Sequence, residues 1–151
     1  MKRLDLTIES DLANVSLLAV AVNRVCLHLG LENLMAGHVE LCVAEAATNS
    51  ICHAYHGSHG HTVNVTLIAH PDRLLIEVAD TGTPMPIEHQ RRLADGSKDP
   101  ELPSPDLHSL PEGGRGLQII RELMDQATYT CEQNLNRLVM TKRIPLAGKQ
   151  I

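Results

Sequence analysis

Leu4, Leu6 and Ile8 alternate with polar residues near the start of the chain, the period of a short, half-buried strand. Ser10 and Asp11 follow as helix caps, and Leu12, Val15, Leu18, Val22, Val25 and Leu29 then recur at helical spacing up to Gly30. Asn33 is placed to cap a second helix, which the pattern predicts to about residue 55. His56, Gly57, Ser58, His59, Gly60 and His61 read as a loop, and residues 62–70 and 73–80 as two strands turned at Pro71-Asp72. No period is visible over residues 81–115, a stretch with six of the eight prolines, and a run of that length inside a compact domain reads as a functional lid. A helix over 116–125 presents Leu117, Ile120, Leu123 and Met124 on one side. A last hairpin pairs 127–132 with 137–144 across Gln133, Asn134, Leu135 and Asn136.

This order of elements predicts an α+β fold, a mostly antiparallel sheet covered on one face by helices. The 151 residues contain no repeat and no internal boundary, so the expectation is one domain over 1–151. With no Phe, no Trp and two Tyr, the core must be aliphatic, and aromatic stacking on bases is excluded as the main binding mode. A net charge of −5 without a Lys/Arg cluster argues against nucleic acid or an anionic membrane as partner. Cys26, Cys42, Cys52 and Cys131 are scattered, which suits a reducing compartment. The longest apolar run, residues 15–22, is too short to span a bilayer, and no secretory leader pattern opens the chain. The expected location is the cytoplasm.

The candidate chemistry sits at three places. From Leu41 to Tyr55 the second helix holds one charged side chain, Glu45, among apolar and small residues, and Glu45, Asn49 and His53 follow at four-residue spacing, one row on one side. A carboxylate in such surroundings is costly unless it is paired or faces a polar cavity. Asp80-Thr81-Gly82-Thr83-Pro84 lies where an apolar strand ends: Asp80 offers an acceptor, and Gly82 permits close backbone approach to a ligand. Gly113, Gly114, Arg115, Gly116 and Leu117 open a helix, where exposed N–H groups and the helix dipole favour anions such as a polyphosphate. The spacing is neither that of a dinucleotide fingerprint nor of a P-loop.

In this order, Glu45-Ala46-Ala47-Thr48-Asn49 with His53-Ala54-Tyr55, then Asp80-Thr81-Gly82, then Gly114-Arg115-Gly116-Leu117, resemble the anti-sigma-factor serine kinases of the GHKL superfamily. The resemblance implies a single-domain Bergerat α/β sandwich, with ATP and Mg²⁺ as cofactors. It implies Glu45 as general base, Asn49 as a Mg²⁺ ligand and Asp80 as acceptor for the adenine amino group. His53, Gly82, Gly113, Gly114, Arg115, Gly116 and Leu117 would contact the nucleotide, with the lid of about 81–115 over its phosphates. It also implies two partners, a sigma factor and a small anti-sigma-factor antagonist that is phosphorylated, and a homodimer. The chain departs from the family pattern in Thr83-Pro84, where a second glycine is frequent, in its proline-rich lid, and in Asn136-Arg137, where Gly-Thr often enters the last strand.

Other readings stay open. A non-catalytic nucleotide-binding module of the same fold would act by sequestration alone. A detached histidine-kinase catalytic domain is disfavoured, because the segment before the asparagine helix includes a strand and no phosphoacceptor helix. His53, His56, His59 and His61 invite a metal reading, but no Cys or carboxylate accompanies them in the loop, and hydrated histidines are expected.

Overall fold

The computed structural model describes residues 1–95 and 114–145. Strand β1, Lys2–Glu9, opens the chain. The Asp11 side chain accepts from the Ala13 N–H at 2.9 Å and caps a single 3₁₀ turn, Leu12–Asn14, before helix α1, Val15–His28. The other expected cap, Ser10, is buried and does different work. Its hydroxyl donates to the Ser58 carbonyl at 2.7 Å and accepts from the His61 N–H at 3.1 Å, which pins the histidine loop to the end of β1.

Helix α2, Asn33–Asn49, starts one residue earlier than its expected cap allows, because Glu32 takes the N-cap position and Asn33 is already helical. The helix ends in a wide turn, Ser50–Ala54, in which the Tyr55 N–H donates to the Ser50 carbonyl at 2.9 Å. A wide turn of this kind inserts one residue into the helical repeat and re-aims the side chains beyond it. Strands β2, Thr62–Ala69, and β3, Arg73–Asp80, form the expected hairpin.

The stretch without visible period contains helix α3, Ile87–Asp95. Leu93 alone is buried and Ile87 faces outward, so the helical period lies in the exposed charged face of Glu88, Arg91, Arg92 and Asp95, not in an apolar stripe. The Gln90 side chain donates to the Met85 carbonyl at 2.7 Å and fixes the approach to this helix. The remainder of the expected lid, residues 96–113, lies outside the described residues. Helix α4, Gly114–Leu123, begins two residues before its expected start. Strands β4, Gln126–Glu132, and β5, Leu135–Arg143, pair across a two-residue turn. Gln133 and Asn134 both take positive φ, 51° and 64°, as the tight hairpin turn requires. Leu135 and Asn136, expected in that turn, therefore belong to β5.

The sheet order is β1-β2-β3-β5-β4, with every pair antiparallel. One face is apolar: Val63, Val65 and Leu67 from β2, Leu74, Ile76 and Val78 from β3, and Leu138 and Met140 from β5 are all buried. Helices α1, α2 and α4 close over it, contributing Val22, Val39, Val43 and Ile120. Aliphatic packing thus replaces the aromatic residues this chain lacks, and α2 lies at its centre, touching both α1 and α4. The antiparallel sheet under one helical layer is the expected α+β architecture.

Candidate active site

A cavity of about 290 Å³ opens between α2, the end of β3, α4 and the strand pair β4–β5. Its walls are partly apolar, with Ala46, Val78, Leu117 and Leu138 among them. One end holds Asp80, the last residue of β3 and 8% exposed. Asp80 Oδ1 accepts from the Gly82 N–H at 3.0 Å and from Asn136 Nδ2 at 2.7 Å. Its Oδ2 accepts from the Ser50 hydroxyl at 2.8 Å. A carboxylate offers about four lone-pair positions, so three donors leave one acceptor position, on Oδ2.

Gly82 serves the turn itself. A Cβ there would lie 2.3 Å from the Ala54 carbonyl oxygen, and the next residue, Thr83, donates its N–H to that same carbonyl at 2.9 Å. The close approach expected at Gly82 is thus made to the backbone at the end of α2. The wide turn after Asn49 serves this junction, bringing the Ser50 hydroxyl to Asp80 and the Ala54 carbonyl to Thr83.

Glu45 and Asn49 lie one turn apart on α2, both half-buried, and meet the start of α4. A Cβ on Gly116 would come within 2.8 Å of Glu45 Oε2 and 3.2 Å of Asn49 Nδ2, so the glycine leaves these two side chains the room they occupy against α4. Asn49 lines the cavity, while Glu45 stands just outside its lining. His53 also lines it but is exposed, because the wide turn breaks the straight row expected from four-residue spacing. Leu117 is buried against the cavity, and Arg115 is half-buried in the first turn of α4. Gly114 is the first residue of that helix, and Gly113 lies outside the described residues.

Sequence reasoning missed Ser50, Tyr129 and Asn136. Ser50 is an ordinary helical serine until the wide turn aims it. Tyr129 lines the cavity, accepts from the Met85 N–H at 2.8 Å through its hydroxyl, and its phenol is pushed above its ordinary pKa by burial. One of only two tyrosines thus stands at a site from which composition had excluded aromatic stacking as the main mode. The period-2 pattern of β4 could have shown that Tyr129 shares a face with Ala127.

The histidine loop is held by local contacts. The Tyr55 hydroxyl donates to the Thr62 carbonyl at 2.7 Å and accepts from the Thr81 N–H at 2.9 Å, and the Tyr55 ring stacks on His61 with centroids 4.5 Å apart. His56 Nε2 lies 3.0 Å from Thr83 Oγ1. Among the described residues no group of three or more His, Cys, Asp or Glu side chains is placed to hold a metal ion.

An acceptor at one end of a part-apolar cavity, with a carboxylate and a carboxamide beside a helix N-terminus at the other, suits a ligand with an amino-bearing ring and an anionic tail. Such a fold and site define a nucleotide-binding ATPase domain. The chain belongs to the family described as histidine kinase-like ATPase domain, which matches residues 8–142. It is similar to the serine-protein kinase RsbW of Listeria monocytogenes, at 28% identity over 86% of this chain and 80% of the relative. The RsbW of Bacillus velezensis is 26% identical over 92% of this chain and 84% of its own length. In three dimensions the chain resembles one from the crystal structure of the SiaB–SiaC complex of Pseudomonas aeruginosa. The TM-score is 0.60 at 11% sequence identity, covering 92% of this chain and 88% of the other, a likeness of fold.

Proposed function

We propose that this chain is an ATP-dependent protein-serine kinase and anti-sigma factor. It would phosphorylate a small antagonist protein and hold a sigma factor when that antagonist is absent or already phosphorylated. One observation carries the reading: Glu45 and Asn49 pack against Gly116 at the start of α4, while Asp80 stands buried in the cavity that Asn49 also lines. The kinase names of the relatives support the same assignment.

In this reading the adenine amino group donates to the free position on Asp80 Oδ2, and Ala46, Val78, Leu117 and Leu138 enclose the ring. The phosphates lie toward the start of α4, where the N–H groups of its first turn and Arg115 meet their charge. Asn49 provides one neutral oxygen donor, which fits Mg²⁺, an ion that keeps several waters and takes its other ligands from phosphates. When bound, Mg²⁺ would offset charge developing on the phosphates. Glu45 takes the proton from the partner's serine hydroxyl as that oxygen forms its bond to the γ-phosphorus. The bond from the γ-phosphorus to the bridging oxygen breaks, and ADP leaves. The phosphoserine then adds about −1.5 to −2 charges beside Glu45, which favours release of the product.

A homodimer and a cytoplasmic location belong to the same reading; no helix among the described residues is long and apolar enough to cross a membrane. The test uses purified protein, labelled ATP and a small antagonist protein encoded beside its gene, with mapping of the modified residue. A single phosphoserine, with loss of the complex on a sizing column, is the expected result. A stable complex without transfer, while ATP demonstrably binds, would leave sequestration alone as the activity.

A further inference from the structure

Asn136 is 1% exposed, and its backbone lies directly opposite Asp80 in the β3–β5 register. Its Nδ2 donates to Asp80 Oδ1 at 2.7 Å and to the Gly82 carbonyl at 2.9 Å. Both of those atoms are acceptors, so they fix which end of the amide is nitrogen, and both amide hydrogens are spent. Asn136 Oδ1 is thereby left as a buried acceptor without a partner. Native proteins rarely leave such an atom, because the desolvation is not recovered. No smaller side chain does the same work. A hydroxyl has one hydrogen for two acceptors, and an apolar group would leave the Gly82 carbonyl without the donor it has here.

We propose that Asn136 is a positioning residue for base selectivity, holding Asp80 so that one oxygen, Oδ2, reads the base. The inference rests on the adenine-site reading of the proposed function. With Oδ1 taking the Gly82 and Asn136 hydrogens, the carboxylate can neither rotate nor offer Oδ1 to a ligand. Oδ2, steadied by the Ser50 hydroxyl, is the remaining acceptor. The other unspent polar atom of the pair, Asn136 Oδ1, is again an acceptor. This end of the cavity therefore favours a ring bearing an amino group and rejects one that places a carbonyl oxygen in the same position. Turn and reader are also joined, since the amide that orients Asp80 holds the Gly82 carbonyl.

The test compares ATP and GTP binding by calorimetry to full-length wild type, Asn136→Ala and Asn136→Asp. Phosphorylation kinetics and nucleotide-free melting are measured alongside. In Asn136→Ala the carboxylate is free to turn, so ATP affinity falls about tenfold or more while GTP affinity changes little, and the preference collapses. The kinetic loss falls on KM for ATP, with kcat at saturating ATP reduced no more than about threefold.

Asn136→Asp supplies a readout that a merely structural role would not move. When protonated, the new carboxyl can donate to Asp80 Oδ1; when ionised, it repels it. ATP affinity of this variant should rise as pH falls, relative to wild type at each pH. His53, His56, His89 and Tyr129 also line the cavity, and Glu45 stands near it, but they are common to both proteins and cancel in the comparison.

If Asn136→Ala keeps the wild-type ratio of ATP to GTP affinity, or Asn136→Asp tracks wild type at every pH, the inference is wrong while the kinase reading stands. If wild type itself binds neither nucleotide, or both equally, the adenine-site reading fails and takes this inference with it.

Discussion

Gly116→Ala separates catalysis from folding in a single methyl group. The added Cβ would stand 2.8 Å from Glu45 Oε2 and 3.2 Å from Asn49 Nδ2, where ordinary contact begins near 3.4 Å. Both obstructing atoms are side-chain ends, so the fold can accommodate the methyl by moving the Glu45 carboxylate several tenths of an ångström. Replacing a helical glycine with alanine otherwise stabilises by about 0.5–1 kcal/mol, so the melting temperature should hold or rise. A misplacement of about 1 Å at a reacting group costs ~10²-fold, so a shift of several tenths predicts about a 10- to 50-fold fall in kcat. ATP affinity should fall much less, because Asp80 and the apolar cavity walls are untouched and Asn49, the lining residue beside the new methyl, has less distance to yield than Glu45. The assay is single-turnover transfer from labelled ATP to the antagonist, with thermal melting and ATP titration on the same preparations. A variant that folds as well as wild type and transfers phosphate at the wild-type rate would refute the reasoning, since Glu45 would then not need its position against Gly116.

Gly82→Ala should behave in the opposite way: its Cβ would meet the Ala54 carbonyl at 2.3 Å, a backbone atom that cannot swing aside, so melting should drop with a cost of about 2 kcal/mol or more. Asp80→Asn puts an amide among three donors and turns the acceptor end ambiguous, so an ATP preference over GTP of well over tenfold should largely vanish in calorimetry. Cys26 and Cys42 are fully buried, and burial raises their thiols to about 11 and about 12. Unfolded thiols ionise near pH 9 and the folded ones do not. The unfolded chain therefore holds fewer protons above that pH, and stability falls by about 1.4 kcal/mol per pH unit per thiol until the folded values are reached. Urea melts from pH 8 to 10.5 should show this slope in wild type and a shallower one in Cys26→Ala/Cys42→Ala.

The sequence carried those features whose cause is local. Alternation at Leu6 and Ile8 and in β2 and β3 reported burial on one sheet face, although Leu4 of the same row stays exposed, and the four-residue spacing of Glu45 and Asn49 reported one side of α2. Features set by tertiary hydrogen bonds were not legible. The wide turn at Ser50–Ala54 depends on which carbonyl the Tyr55 N–H finds, and it is what moves His53 out of the row and Ser50 toward Asp80. Asn136 looked like a turn residue because asparagine favours turns, and only the two-residue geometry at Gln133 and Asn134 places it inside β5, opposite Asp80. Helix α3 escaped because it buries Leu93 alone among its residues, and its period is carried by exposed charged residues, where a search for buried apolar positions does not look.

The most direct measurement of the central claim is phosphate transfer by Glu45→Gln. The substitution keeps the shape beside Gly116 and removes the base. Mg²⁺-ATP should therefore bind within a few-fold of wild type while transfer to the antagonist's serine falls by about 10²-fold or more. Wild-type transfer by Glu45→Gln, with the same serine modified, would contradict the account, because the carboxylate at the α2–α4 contact would then have no part in the chemistry.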